Sequence, residues 1–332
     1  MKFNEIFSSG MVFAKGQPIR IYGSGAGNAE VTFASVTKKA TVQNGKWYAE
    51  FPAMEYGGPY ELVLNADGVK TVLNDIYVGD VYLFAGQSNM QFKIKEGTDD
   101  PELCETNEML RLFSPYRMEE GDFYTPEHGW VKAEKSMARE WSAIAHFAGL
   151  RLQKKTGAAV GIIVSYQGAS VIESWMPKGL TEQNGIFVPL GEKSASHRIP
   201  EYSAWNTDGA LYEYMLKQVM PFSLSGVVWY QGESDASFAE AKVYCRELKI
   251  LIDTWRQDFC RPDLPFVIVQ IADFDGQNDE AWRLVQKAQY DVQFAAQNVT
   301  TVISADVSAS DNIHPPKKYE LSQRIAAALL NY

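Results

Sequence analysis

Apolar and polar residues alternate with a period of two through the first quarter of the chain. Ile19-Arg20-Ile21-Tyr22-Gly23, Glu30-Val31-Thr32-Phe33 and Trp47-Tyr48-Ala49-Glu50-Phe51 each place apolar side chains on one face of an extended backbone. Ala40-Thr41-Val42 leads into Asn44-Gly45, a dipeptide that closes two-residue hairpins because both residues tolerate positive φ. Tyr56-Gly57-Gly58-Pro59 makes a further turn before Tyr60-Glu61-Leu62-Val63-Leu64. Short strands at this spacing, without a helical period, predict a small β-sandwich domain over residues 1–78.

From residue 79 the alternation gives way to continuous apolar runs. These are Val81 to Ala85, Ala159 to Val164, Gly226 to Tyr230, Pro265 to Val269 and Val299 to Ile303. Runs apolar on both faces fit parallel strands covered by helices. Helical stripes lie between them. Ile144, Phe147, Ala148 and Leu152 form one, followed by Lys154-Lys155 and a capping Gly157. Tyr244, Leu248, Leu251, Ile252 and Trp255 form a second, and Leu321, Ile325, Ala328 and Leu329 a third. Strand–helix alternation predicts a three-layer α/β domain over residues 79–332.

The formal net charge of −10 argues against nucleic acid or an anionic membrane as the main partner, since both call for clustered Lys and Arg. No apolar stretch reaches the roughly 18 residues of a transmembrane helix. The opening MKFNEIFSSG lacks the apolar centre of a secretory signal, so the expected compartment is cytoplasmic. The cysteines, Cys104, Cys245 and Cys260, are odd in number and contain no CxxC, which predicts neither a disulfide framework nor a zinc site.

In an open α/β sheet, ligands bind beyond the carboxyl ends of the strands. The residues found there are Gly86-Gln87-Ser88-Asn89-Met90, then Gln167-Gly168-Ala169-Ser170, then Gln231-Gly232-Glu233-Ser234. Asp311-Asn312-Ile313-His314-Pro315-Pro316 precedes the last helix. This set suits acyl transfer. Ser88 needs a base to take its proton, His314 is a base poised near neutrality, and Asp311, three residues earlier, would hold the ring. The Ser88 and Gly168 N–H groups and the Gln231 amide are candidate oxyanion donors, each worth roughly 3 kcal/mol of transition-state stabilisation. Gln87, Asn89, Glu173, Trp175 and Glu233 are candidate substrate-binding residues. Carboxylates placed like Glu233 and Glu173 more often brace a loop through backbone N–H groups, and a tryptophan placed like Trp175 is at least as often packing. Of the other histidines, His146 falls inside a helix and reads as structural, while His128 and His197 read as loop groups. Asp235 and Asp306 read as structural.

At these residues the chain resembles the sialate O-acetylesterase-like family of SGNH hydrolases. Gly86-Gln87-Ser88-Asn89-Met90, Trp229-Tyr230-Gln231-Gly232-Glu233-Ser234 and Asp311-Asn312-Ile313-His314-Pro315 carry the likeness. Gly10-Met11-Val12-Phe13, Gly58-Pro59-Tyr60 and Trp255-Arg256-Gln257-Asp258 extend it over most of the chain. The resemblance implies a flavodoxin-like SGNH catalytic domain behind the β-sandwich. It implies Ser88, Asp311 and His314 as triad, and Ser88, Gly168 and Gln231 as oxyanion hole. It also implies removal of acetyl groups from sugars without metal or organic cofactor. The expected partner is an acetylated sialic acid or an acetylated xylo- or manno-oligosaccharide. Two departures stand out. Ala169 replaces the second glycine of the family's second block, and Glu213-Tyr214 is bulkier than the Asn-Gly usual there. Two rival readings are a glycosidase pairing Glu233 with Glu173 or Asp311, and a glycan-binding protein without turnover.

Overall fold

The structure is a computed structural model that describes residues 1–117, 129–277 and 279–332; His128 lies outside the described residues. The N-terminal quarter is all β: β1 (Lys2–Phe3), β2 (Val12–Ala14), β3 (Ile19–Ser24), β4 (Ala29–Phe33), β5 (Val36–Lys39), β6 (Thr41–Gln43), β7 (Lys46–Phe51) and β8 (Gly57–Ala66). One sheet runs β1-β3-β7-β6. The β6–β7 hairpin closes at Gln43 opposite Lys46, with Asn44 and Gly45 at φ 52° and 73° as their sequence predicts. Strand β7 alternates exposed and buried along its length, so Trp47, Ala49 and Phe51 turn inward.

Strand β9 (Val69–Gly86) is 18 residues long and joins the two regions. Its first half pairs antiparallel with β8 and parallel with β2. Its second half enters a sheet of β10 (Asn107–Phe113), β11 (Val131–Ala133), β12 (Val160–Tyr166), β13 (Gly226–Tyr230), β14 (Phe266–Val269) and β15 (Val299–Val302), in the order β11-β10-β12-β9-β13-β14-β15. All these pairings are parallel except β10–β11. The architecture is a mixed α/β fold with a large, mostly parallel sheet. Residue 78, the expected domain boundary, falls in the middle of β9. One core also runs through both regions. Phe222, which precedes β13, packs on Phe7 and Phe13 with ring centroids 5.8 and 5.6 Å apart.

The helices are α1 (Ser88–Gln91), α2 (Lys135–Ala138), α3 (Ala143–Thr156), α4 (Leu180–Gln183), α5 (Ala210–Tyr214), α6 (Phe238–Asp258), α7 (Glu280–Ala295) and α8 (Tyr319–Leu329). α3 packs against α8 and α6 against α7. α3 ends at Gly157 in the left-handed conformation, φ 66°. His146, on α3, is fully buried against Trp141 and Phe147, and burial pushes its pKa down to about 4. No helix among the described residues is long and apolar enough to cross a membrane.

Candidate active site

The chain reverses its strand order around β9, which has β12 on one side and β13 on the other. Such a switch point opens a crevice beyond the strand ends. Gly86 ends β9 at φ 146°, and a Cβ there would sit 2.0 Å from the Tyr230 carbonyl oxygen of β13. Only glycine lets these strands close so near the site. Gln87 turns the chain, and Ser88 opens α1, where the first-turn N–H groups lack helical partners.

His314 lies on the loop before α8. Its Nε2 is 2.7 Å from Ser88 Oγ, although 226 residues separate the two in sequence. The His314 N–H donates to Asn312 Oδ1 at 2.8 Å, a local turn that sets the loop. The Pro316 carbonyl accepts from Thr98 N–H at 3.0 Å, and Asp99 Oδ2 accepts the Lys318 and Tyr319 N–H groups at the start of α8. Burial holds the imidazole below its ordinary pKa. The ammonium of Lys318 adds to that shift, and Glu96 opposes it.

Beneath the pair runs a buried polar chain. Lys318 Nζ donates to Asn89 Oδ1 at 2.6 Å. Asn89 Nδ2 donates to Glu233 Oε1 at 2.6 Å and to the Ile313 carbonyl at 2.9 Å. The residue after the serine is thereby tied to the residue before the histidine. Burial pushes the Lys318 pKa down to about 7 and raises that of Glu233. Gln87 is also buried, and its Oε1 accepts from Gly232 and Ser234 N–H.

Above the pair lies a cleft of about 630 Å³, within the range of roughly 300–1,000 Å³ common for small-molecule sites. Ser88, His314, Gly168, Gln87 and Glu233 all line it. The Gly168 N–H donates to Gln91 Oε1 at 3.0 Å, so a side-chain oxygen already occupies that donor. Ala169 follows at φ 54°, in the left-handed region where the family pattern has glycine.

Several expected residues stand elsewhere. Asp311 is exposed and, among the described residues, makes no hydrogen bond or ion pair to His314; the turn at Asn312 leaves it on the outer side of the loop. Gln231 is fully buried beside the cleft rather than on it. Its Nε2 donates to the Ser170 carbonyl and to Asp235, which uses both amide protons, and its Oε1 accepts from Tyr244. Glu173 pairs with Lys193 and is not on the cleft wall. Trp175 is fully buried, edge-on to Trp229, with its indole N–H on Ser170 Oγ at 3.0 Å. Asn89 sits below the floor of the cleft. His197 is not a surface group: its side chain is 5% exposed, with Nε2 2.6 Å from Glu240. Asp235 braces the loop after β12 through the Ile172 N–H, and Asp306 pairs with Arg324. Cleft residues without a sequence signal are Gln91, Phe92, Glu96, Tyr202, Trp205 and Gln277.

The sequence profile described as carbohydrate esterase, sialic acid-specific acetylesterase, matches residues 78–331. Sialate O-acetylesterase of Homo sapiens is 24% identical over 348 residues, which cover 92% of this chain. The chain spans 65% of the length of that relative. A probable carbohydrate esterase of Arabidopsis thaliana is 26% identical over 254 residues, covering 70% of this chain and 83% of its own. Among solved structures, a carbohydrate acetylesterase from Xanthomonas citri superposes with a TM-score of 0.84 at 27% identity, over 98% of this chain and 74% of that one.

Proposed function

We propose a serine O-acetylesterase acting on acetylated sugars, from the premise that this chain belongs to the carbohydrate esterase family of sialic acid-specific acetylesterases. One observation carries the mechanism: the 2.7 Å contact between Ser88 Oγ and His314 Nε2 at the floor of a sugar-sized cleft.

His314 takes the hydroxyl proton as Ser88 Oγ bonds to the acetyl carbonyl carbon. The carbonyl electrons move onto oxygen, which accepts from the Ser88 and Gly168 N–H groups; Gln91 Oε1 yields its place on the Gly168 amide. The intermediate collapses, the sugar oxygen leaves with the proton from His314, and Ser88 holds the acetyl group. Water then gives a proton to His314 and attacks the same carbon. Acetate departs, and the proton returns to Ser88 Oγ. The low pKa of His314 suits a base that is neutral at neutral pH. Asp311 is assigned to steady the imidazolium, which requires the loop to turn its carboxylate inward.

The parallel strands read as the flavodoxin-like middle layer of the SGNH domain. The strands over 1–78 read as a small β-sandwich that braces this layer through β2 and Phe13. A two-carboxylate glycosidase finds less support, because Glu233 spends one oxygen on buried Asn89 and Asp311 faces solvent.

The test is acetate release from an aryl acetate by wild type and by a folded Ser88→Ala variant. A loss of about a thousandfold or more supports the serine esterase. Equal rates would reject it in favour of glycan binding without ester cleavage.

A further inference from the structure

The side chains around Ser88 say which sugars the cleft accepts. Its wall on the segment after α4 carries Tyr202 and Trp205, with ring centroids 5.5 Å apart and planes 32° from parallel. Both are partly buried and line the cleft. A pyranose has a face of C–H bonds that packs on such rings. Asn206, next to Trp205, fixes this wall by donating to the Ala169 and Ser196 carbonyls at 2.9 Å each.

The charges lining the cleft are of one sign. Glu96 and Glu233 contribute carboxylates, and among the described lining residues there is no Lys or Arg. Three lysines nearby in sequence are engaged elsewhere. Lys95 pairs with Glu140 at 2.7 Å, Lys193 pairs with Glu173, and Lys318 is buried on Asn89. A sugar bearing its own carboxylate would meet like charge with no guanidinium or ammonium to receive it.

We propose that this cleft takes a neutral O-acetylated pyranoside, stacked on Tyr202 and Trp205, and selects against acetylated sugars that carry a carboxylate. The inference rests on the serine esterase reading and departs from the substrate named for the family.

The experiment measures kcat/KM of wild type on three acetyl esters: 4-nitrophenyl acetate, an O-acetylated methyl xyloside and 9-O-acetyl-N-acetylneuraminic acid. The neutral sugar ester is expected to exceed the sialate by about tenfold or more. In Trp205→Ala, the ratio of xyloside ester to aryl acetate is expected to fall by about tenfold, through KM, with partial recovery in Trp205→Phe. Because it is a ratio, it is insensitive to the fraction folded. Glu96→Gln is expected to raise the sialate-to-xyloside ratio by about threefold or more. A sialate rate equal to or above the xyloside rate, or a ratio unmoved in Trp205→Ala, overturns the inference. Failure on all three esters overturns the esterase reading itself, and the inference with it.

Discussion

At the scale of single residues, the decisive contact joins positions 88 and 314. On the proposed serine esterase reading, His314 must be neutral to accept the serine proton, so activity is expected to fall as pH falls through its pKa. Burial and Lys318 hold that pKa below 6.5. The acid limb of a kcat/KM profile should therefore fall below pH 6.5, with a plateau at neutrality. Lys318→Met removes the nearby charge and unties Asn89. It should move that limb upward and lower kcat by about tenfold to a hundredfold, as expected when a base is slightly misplaced. Asp311→Asn should lower kcat by about a hundredfold or more if the carboxylate turns in during turnover, and Glu96→Gln should leave most of it. An inverted pattern would transfer the orienting role to Glu96, the anion that acts on the ring in this structure. The cleft positions of Ser88, Gly168 and His314 were legible because each follows an apolar run or precedes a helix. Lys318 was not, since a lysine in Lys317-Lys318 reads as surface. Gln231 misled because sequence shows an amide at a strand end but not the partners, Ser170 and Asp235, that use both its protons.

At the scale of elements, the loop after β12 carries a departure from the family pattern that costs backbone energy. Ala169 stands at φ 54°, a conformation that costs an L-residue roughly 1–2 kcal/mol. Glycine would relieve this and lose part of the gain to chain entropy, so Ala169→Gly should raise stability by about 0.5–1 kcal/mol, read by denaturant titration. Phe222→Ala should cost about 3–5 kcal/mol in the same assay, because it empties the seam between Phe7, Phe13 and β13. The buried strands and the helices α3, α6 and α8 announced themselves by period and caps. α7 did not, although Trp282, Val285, Ala288 and Val292 are its buried stripe, since polar Gln286, Lys287 and Gln289 dilute the pattern. β10 alternates Leu110 and Leu112 with Arg111, whose charge masks a strand that buries it on Asp75. The wall that bears Tyr202 and Trp205 is built of short 3-10 turns, which have no readable period.

At the scale of the whole molecule, acid groups are buried in excess around α6. Asp235, Glu240 and Glu247 are each under 5% exposed. Burial, with Glu173 and Glu240 adding repulsion, pushes Glu247 up to about 8. Its folded pKa thus exceeds the unfolded value near 4.5, so the protonated group contributes stability fully below about pH 4.5 and loses it as pH rises through 8. Glu247→Gln should flatten the decline in unfolding free energy between about pH 5 and pH 9, read by urea melts across that range. A last consequence belongs to β9. Because one unbroken strand pairs with β8 and β2 along its first half and with β12 and β13 along its second, backbone hydrogen bonding runs continuously from the N-terminal strands into the sheet that carries Ser88. Swinging one region against the other would break that ladder, so the N-terminal strands act as a fixed buttress for the strand that ends at Gly86.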